Sequence, residues 1–192
     1  MKNKEVEDDG TRLVIHAISH SHVDHGWQVP FEQYYENDLT KIFESVTKAL
    51  KADEQLRFNW AEVAYLKHWW EDAKISKDLK DEFRSLVTNG QIEFVSGSWV
   101  SPDEACLSSD EFMTQALYGL EFLKETFGAE PKSYWQLDPF GYSMKTPALL
   151  NELGYEDMLV TRISSYMKED MRDNGNLAFI WQAHHQKGTE GI

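Results

Sequence analysis

Four side chains able to hold a divalent metal stand within six positions of one another: His20, His22, Asp24 and His25, in the stretch Ser19–His20–Ser21–His22–Val23–Asp24–His25–Gly26–Trp27. The whole chain of 192 residues has only seven histidines. Imidazole and carboxylate crowded together suit a transition metal such as zinc. In an extended segment alternate residues face one way, so His20, His22 and Asp24 share a side and His25 points off it. The competing reading is a polar loop that is rich in histidine by chance.

These groups need a scaffold, and the flanking pattern supplies one. The apolar run Leu13–Val14–Ile15–His16–Ala17–Ile18 predicts a buried strand that delivers the histidines at its end. Helical spacing of Leu39, Ile42, Phe43, Val46 and Leu50 predicts a helix over residues 31–52. A second strand, Leu56–Trp60, stops just before Glu62, and a helix follows through Tyr65, Leu66, Trp69 and Trp70. Another helix runs from about Ser76 to Val87 and is closed by Asn89–Gly90. Gln91–Val95 reads as a third strand, opening into a loop that carries Trp99, Asp103 and Glu104. Ser108 and Glu111 form a capping box ahead of a long amphipathic helix, which Gly128 and Pro131 end.

Ser133–Leu137 is the fourth strand and presents Asp138. Thr146–Pro147 begins a helix that Gly154 closes, and Asp157–Val160 is a fifth strand leading to Arg162. Phe179–Trp181 suggests a sixth. Strand alternating with helix implies an α/β fold with a parallel sheet, open or closed as a barrel. Six strands are too few for a complete (β/α) barrel, so the expectation is an incomplete seven- or eight-stranded one, with its polar groups gathered beyond the strand ends. Residues 1–11 read as a polar tail and residues 12–192 as one domain that stops without a terminating helix, as a fragment of a longer protein would.

Composition narrows the partners. A net charge of −14 argues against nucleic acid and anionic membrane, which call for basic patches. No apolar run approaches a membrane span, and the polar start lacks the hydrophobic centre of a secretory signal, so the chain is expected to remain where it is made. One cysteine, Cys106, excludes an internal disulfide framework and a multi-cysteine metal site. The seven tryptophans suit stacking on sugar rings, although core filling accounts for most of them.

Taken alone, His20–Ser21–His22–Val23–Asp24–His25 fits the H-x-H-x-D-H pattern of metallo-β-lactamase-like hydrolases. Those are antiparallel sandwiches, whereas this chain runs on as strand–helix repeats. Three stretches taken together choose differently. His22–Val23–Asp24–His25–Gly26–Trp27, Gly97–Ser98–Trp99–Val100–Ser101–Pro102–Asp103–Glu104–Ala105 and Gln136–Leu137–Asp138–Pro139–Phe140–Gly141–Tyr142–Ser143, followed by Thr161–Arg162–Ile163, closely resemble the N-terminal catalytic domain of family 38 glycoside hydrolases, the class II α-mannosidases. The resemblance extends from about Leu13 to Trp181.

It implies a zinc-dependent retaining glycosidase with one zinc ion per site, acting on terminal α-linked mannose of glycans or oligosaccharides. His22, Asp24 and Asp138 would be metal ligands, and Asp138 also the nucleophile. Trp27, Phe140 and Arg162 would line the sugar subsite, leaving His20 and His25 outside the ligand set. Read without the resemblance, Asp138 could be a helix cap, Arg162 a surface partner of Asp157 or Glu169, and Trp27 and Trp99 core residues. The family's fourth ligand and its acid/base lie further downstream than this chain reaches, and lysosomal or Golgi residence is implied by resemblance alone. His184 and His185 could supply a ligand, and Asp103, Glu104 or Asp170 could stand in for the acid. The alternatives are a metal-dependent polysaccharide deacetylase, or a sugar- or zinc-binding module without catalysis.

Overall fold

The computed structural model describes residues 15–182. Helix α1 (Phe31–Tyr34) passes through a π-helical turn (Tyr35–Leu39) into α2 (Thr40–Ala52). Strand β1 (Phe58–Trp60) is followed by α3 (Val63–Glu71) and α4 (Lys77–Thr88), and then by β2 (Ile92–Phe94). After α5 (Ser109–Phe127) come β3 (Ser133–Gln136), α6 (Thr146–Glu152), β4 (Asp157–Val160) and α7 (Ser165–Asp173).

The expected strand–helix order holds, and the α/β class with it. β1 pairs with β2 and β3 with β4, both parallel. The barrel does not appear among the described residues, where the strands form two separate two-stranded sheets. Ser96 links them through hydrogen bonds. Ser96 donates its backbone N–H to Ser133 O, and its hydroxyl both accepts from Trp135 N and donates to Trp135 O. The Tyr155 hydroxyl donates to Ser96 O in turn.

Ser96 and Gly97 take left-handed φ values of 57° and 70°, turning the chain sharply off β2. The turn sits directly on α5 at Gly119, where a Cβ would come within 2.0 Å of Gly97 O. Only glycine permits that approach, and it is how the Trp99–Glu104 loop is set over the sheet end.

The expected opening strand is corrected. Leu13 and Val14 lie outside the described residues, and Ile15–Ile18 form no ladder, Ile15 and Ile18 being exposed. Among the described residues the segment meets the sheet only at the parallel bridge between His20 and Asn59, with Asn59 N donating to Ser19 O. Phe179–Trp181 is not a strand either; no ladder partner is offered to it, and Phe179 and Ile180 are exposed. Helix α7 carries no buried residue, so it left no apolar periodicity to read.

Aromatic side chains fill the main core, with Phe43 stacked on Trp69 and in contact with Trp60 and Phe83. A smaller cluster of Phe112, Tyr134, Leu150 and Tyr155 backs β3. Trp60, Trp69 and Trp135 are buried, as core filling requires, and Trp27 is 75% exposed. Ser108 and Glu111 form the expected capping box and Gly128 closes α5 in the left-handed region.

Candidate active site

The opening segment and the end of β3 converge. His22 Nε2 lies 3.5 Å from Asp24 Oδ1 and 3.8 Å from Asp138 Oδ2. The other ring nitrogen, Nδ1, is 3.1 Å from Glu62 Oε1 and donates to it. With its proton on Nδ1, the ring turns a lone pair toward two carboxylates. Nε2 is buried and makes no hydrogen bond.

Such an arrangement of acceptors facing one another asks for a cation between them. Donors on a tetrahedral zinc ion stand about 3.3 Å apart, given bond lengths near 2.0–2.1 Å. The two distances at His22 approach that value, and the donor set of one imidazole and two carboxylates is acceptable to zinc. The residue types therefore fit the group, although among the described residues no three His, Cys, Asp or Glu side chains stand close enough together to hold a metal ion as they are placed. The pKa of His22 is raised, first by the hydrogen bond to Glu62 and then by the charges of Glu62, Asp24 and Asp138, against the lowering effect of burial.

Asp138 divides its two oxygens between partners. Oδ2 faces His22, and Oδ1 is paired with the Arg162 guanidinium. Arg162 thus joins Asp138 and not Asp157 or Glu169, and its guanidinium lies over the Phe140 ring at 4.7 Å from the centroid. Nor is Asp138 a helix cap, since Lys145 occupies that position before α6. The Tyr142 hydroxyl accepts from the backbone N–H groups of Thr161 and Arg162, both at 3.2 Å, which ties the β3 and β4 ends together behind this pair. Phe140 is 70% exposed, so its face and that of Trp27 are open to solvent.

His20 and His25 depart from the cluster. His20 packs edge-on against Trp135, and His25 stacks on Tyr65 and Phe31. Burial, reinforced by His22, lowers the His25 pKa to about 4. The Tyr65 hydroxyl donates to Asp24 O at 2.9 Å, fixing the loop backbone beside the carboxylate.

The three carboxyls that might have served as acid are all engaged. Glu104 accepts from Gln136 Nε2 (2.7 Å), Ser143 N and Thr146 Oγ1, so it clamps the Asp138 loop from both sides. Asp103 accepts from Phe140 N and Ala105 N, and Asp170 accepts from Asn174 on α7. His184 and His185 lie outside the described residues.

Glu62 carries a role that sequence reasoning missed. Its position just past the β1 end was visible as one of several polar residues after strands, but nothing in the sequence paired it with His22.

The N-terminal domain model of the glycosyl hydrolases of family 38 matches residues 12–190. Over 191 residues the chain is 35% identical to Alpha-mannosidase D of Dictyostelium discoideum, covering 99% of this chain and 15% of that protein. Over 183 residues it is 36% identical to Alpha-mannosidase 2 of Homo sapiens, covering 95% and 16%. Among solved structures it is similar to an alpha-mannosidase from Enterococcus faecalis V583, with a TM-score of 0.64 and 20% identity over 73% of this chain and 16% of that one. At that identity the likeness speaks for the fold. The chain thus spans about one sixth of the curated relatives that it matches. Since the family model spans nearly its whole length, and relatives at 35 and 36% identity cover almost all of it, the chain belongs to the glycosyl hydrolases of family 38, through their N-terminal domain.

Proposed function

We propose that this chain carries the nucleophile and the metal-binding half of a zinc-dependent, retaining α-mannosidase acting on terminal α-linked mannose. The observation that carries the reading is the meeting at His22 Nε2, buried and without a hydrogen bond, with Asp24 and Asp138 at 3.5 and 3.8 Å. His22, Asp24 and Asp138 would hold the zinc ion, which when bound supplies positive charge to the sugar hydroxyls and to the adjacent carboxylate.

The residues of the chain supply the rest. Arg162 grips Asp138 Oδ1 and so orients the carboxylate, while Oδ2 faces His22. Asp138 attacks the anomeric carbon and forms a bond to it as the bond to the leaving oxygen breaks. A second carboxyl, about 5–5.5 Å from the first in retaining enzymes, protonates that oxygen and then activates water. Asp103, Glu104 and Asp170 each accept hydrogen bonds from neighbouring residues, so none of them is assigned the acid's role. Trp27 and Phe140 offer exposed aromatic faces for the apolar side of a mannose ring.

The engagement of all three nearby carboxyls also supports a second reading for this chain by itself, a module that binds zinc or sugar without turnover. Zinc titration together with hydrolysis of an aryl α-mannoside decides. Zinc binding in the chain and zinc-dependent hydrolysis by the protein that carries it support the mannosidase; binding with no hydrolysis in either supports the module. A protein in which Asp24→Asn and Asp138→Asn leave zinc affinity unchanged has no such site.

A further inference from the structure

We infer that Glu62 is a positioning residue for His22, holding the imidazole in the tautomer and orientation that present Nε2 to the metal; the inference rests on the reading of His22 as a ligand. Glu62 occupies the N-cap position of α3, where a carboxylate ordinarily accepts from the first-turn N–H groups. Here it makes no such bond. The donors are taken by other groups, Val63 N bonding to Ser98 O at 3.2 Å and Ala64 N to Trp99 O at 2.9 Å. The loop that follows β2 thus caps the first two of these N–H groups with its own carbonyls, and the Glu62 carboxylate is turned to other partners.

What Glu62 does with its carboxylate is specific. It is 2% exposed, and burying a carboxylate with few partners is costly. Oε1 accepts from His22 Nδ1 at 3.1 Å and from Ser101 Oγ at 3.2 Å, while Oε2 is buried with no hydrogen bond. The backbone is pinned separately, by Trp60 Nε1 donating to Glu62 O at 2.7 Å. A residue kept only for stability would cap the helix or be apolar. The carboxylate instead stands behind the one imidazole whose far nitrogen faces Asp24 and Asp138, the arrangement in which an outer carboxylate sets the ligand nitrogen of a metal-bound histidine.

The test compares zinc affinity in the wild-type protein and in His22→Ala, Glu62→Gln, Glu62→Asp and Ser101→Ala variants, with circular dichroism checking that each is folded. Zinc binding that His22→Ala abolishes upholds the underlying reading. Given that, a loss of roughly 10- to 100-fold in Glu62→Gln, partly restored in Glu62→Asp and milder in Ser101→Ala, is expected. Unchanged affinity in folded Glu62→Gln overturns the positioning role while leaving His22 a ligand. No zinc binding in the wild type overturns both. Nitrogen NMR of the metal-free wild type needs no variant. The neutral His22 ring is expected to carry its proton on Nδ1, and a proton on Nε2 instead would overturn the inference even if Glu62→Gln failed to fold.

Discussion

His22 Nε2 and Asp138 Oδ2 stand 3.8 Å apart, although one residue lies ahead of the first strand and the other beyond the third. The parallel bridge between His20 and Asn59 holds the opening segment beside β1, and β3 delivers Asp138 just past its C-terminal end. The first expected outcome concerns this pair. Asp138→Asn keeps the shape but removes the nucleophile, so aryl α-mannoside hydrolysis by the whole protein falls by about 10,000-fold or more, with unchanged circular dichroism. Activity near wild type would remove Asp138 from the nucleophile's role.

Glu104 supports the same loop from beneath. Glu104→Ala leaves Gln136 Nε2, Ser143 N and Thr146 Oγ1 without their acceptor, and a loss of about 2 kcal/mol is expected in urea unfolding. Turnover falls too as the Asp138 loop loosens. A variant as stable as the parent means that these donors find other partners.

Arg162 over Phe140 is an exposed cation–π pair. A double-mutant cycle with Arg162→Met and Phe140→Leu is expected to give a coupling of about 0.5–1 kcal/mol in stability. Arg162→Met alone also lowers turnover, since it frees Asp138 Oδ1. A coupling of zero leaves Arg162 acting through Asp138 only.

The half-buried histidines His22 and His25 drive stability in opposite directions with pH. The folded-state pKa of His25 is lowered to about 4 from an ordinary 6.5. Between those values the unfolded chain binds the extra proton, so the His25 contribution falls as pH drops from 6.5 towards 4. The raised pKa of His22 gives stability that is full below 6.5 and is lost as pH rises through the folded value. His25→Phe, which keeps the stack on Tyr65, is therefore expected to flatten the decline of thermal midpoint between pH 6.5 and 4. A decline of unchanged slope would assign it to other groups.

Gly119 tests the turn under the site. In Gly119→Ala the new Cβ would meet Gly97 O, a backbone atom that cannot swing aside, and a cost of about 3 kcal/mol or a failure to fold is expected. A neutral substitution would mean that α5 can slide away from the Ser96–Gly97 turn.

Periodicity and punctuation in the sequence determined the helices up to α6 and four of the strands, and missed α7, which buries no residue. The Ser108–Glu111 capping box, Pro147 at the start of α6 and Gly128 at the end of α5 are local signals, satisfied within a few residues, and so they need no knowledge of the rest of the chain. The histidine–aspartate cluster was legible from the crowding of its residue types, and Asp138 from its place just past a strand end. Local patterns could not say which apolar runs find a partner, and so Leu13–Ile18 and Phe179–Trp181 read as strands without forming ladders among the described residues. Only the tertiary structure decided that Arg162 turns to Asp138, that Glu62 meets His22, and that Asp103 and Glu104 hold a loop. Those choices depend on which donors the neighbouring backbone has already satisfied, and that is a property of contacts between distant segments.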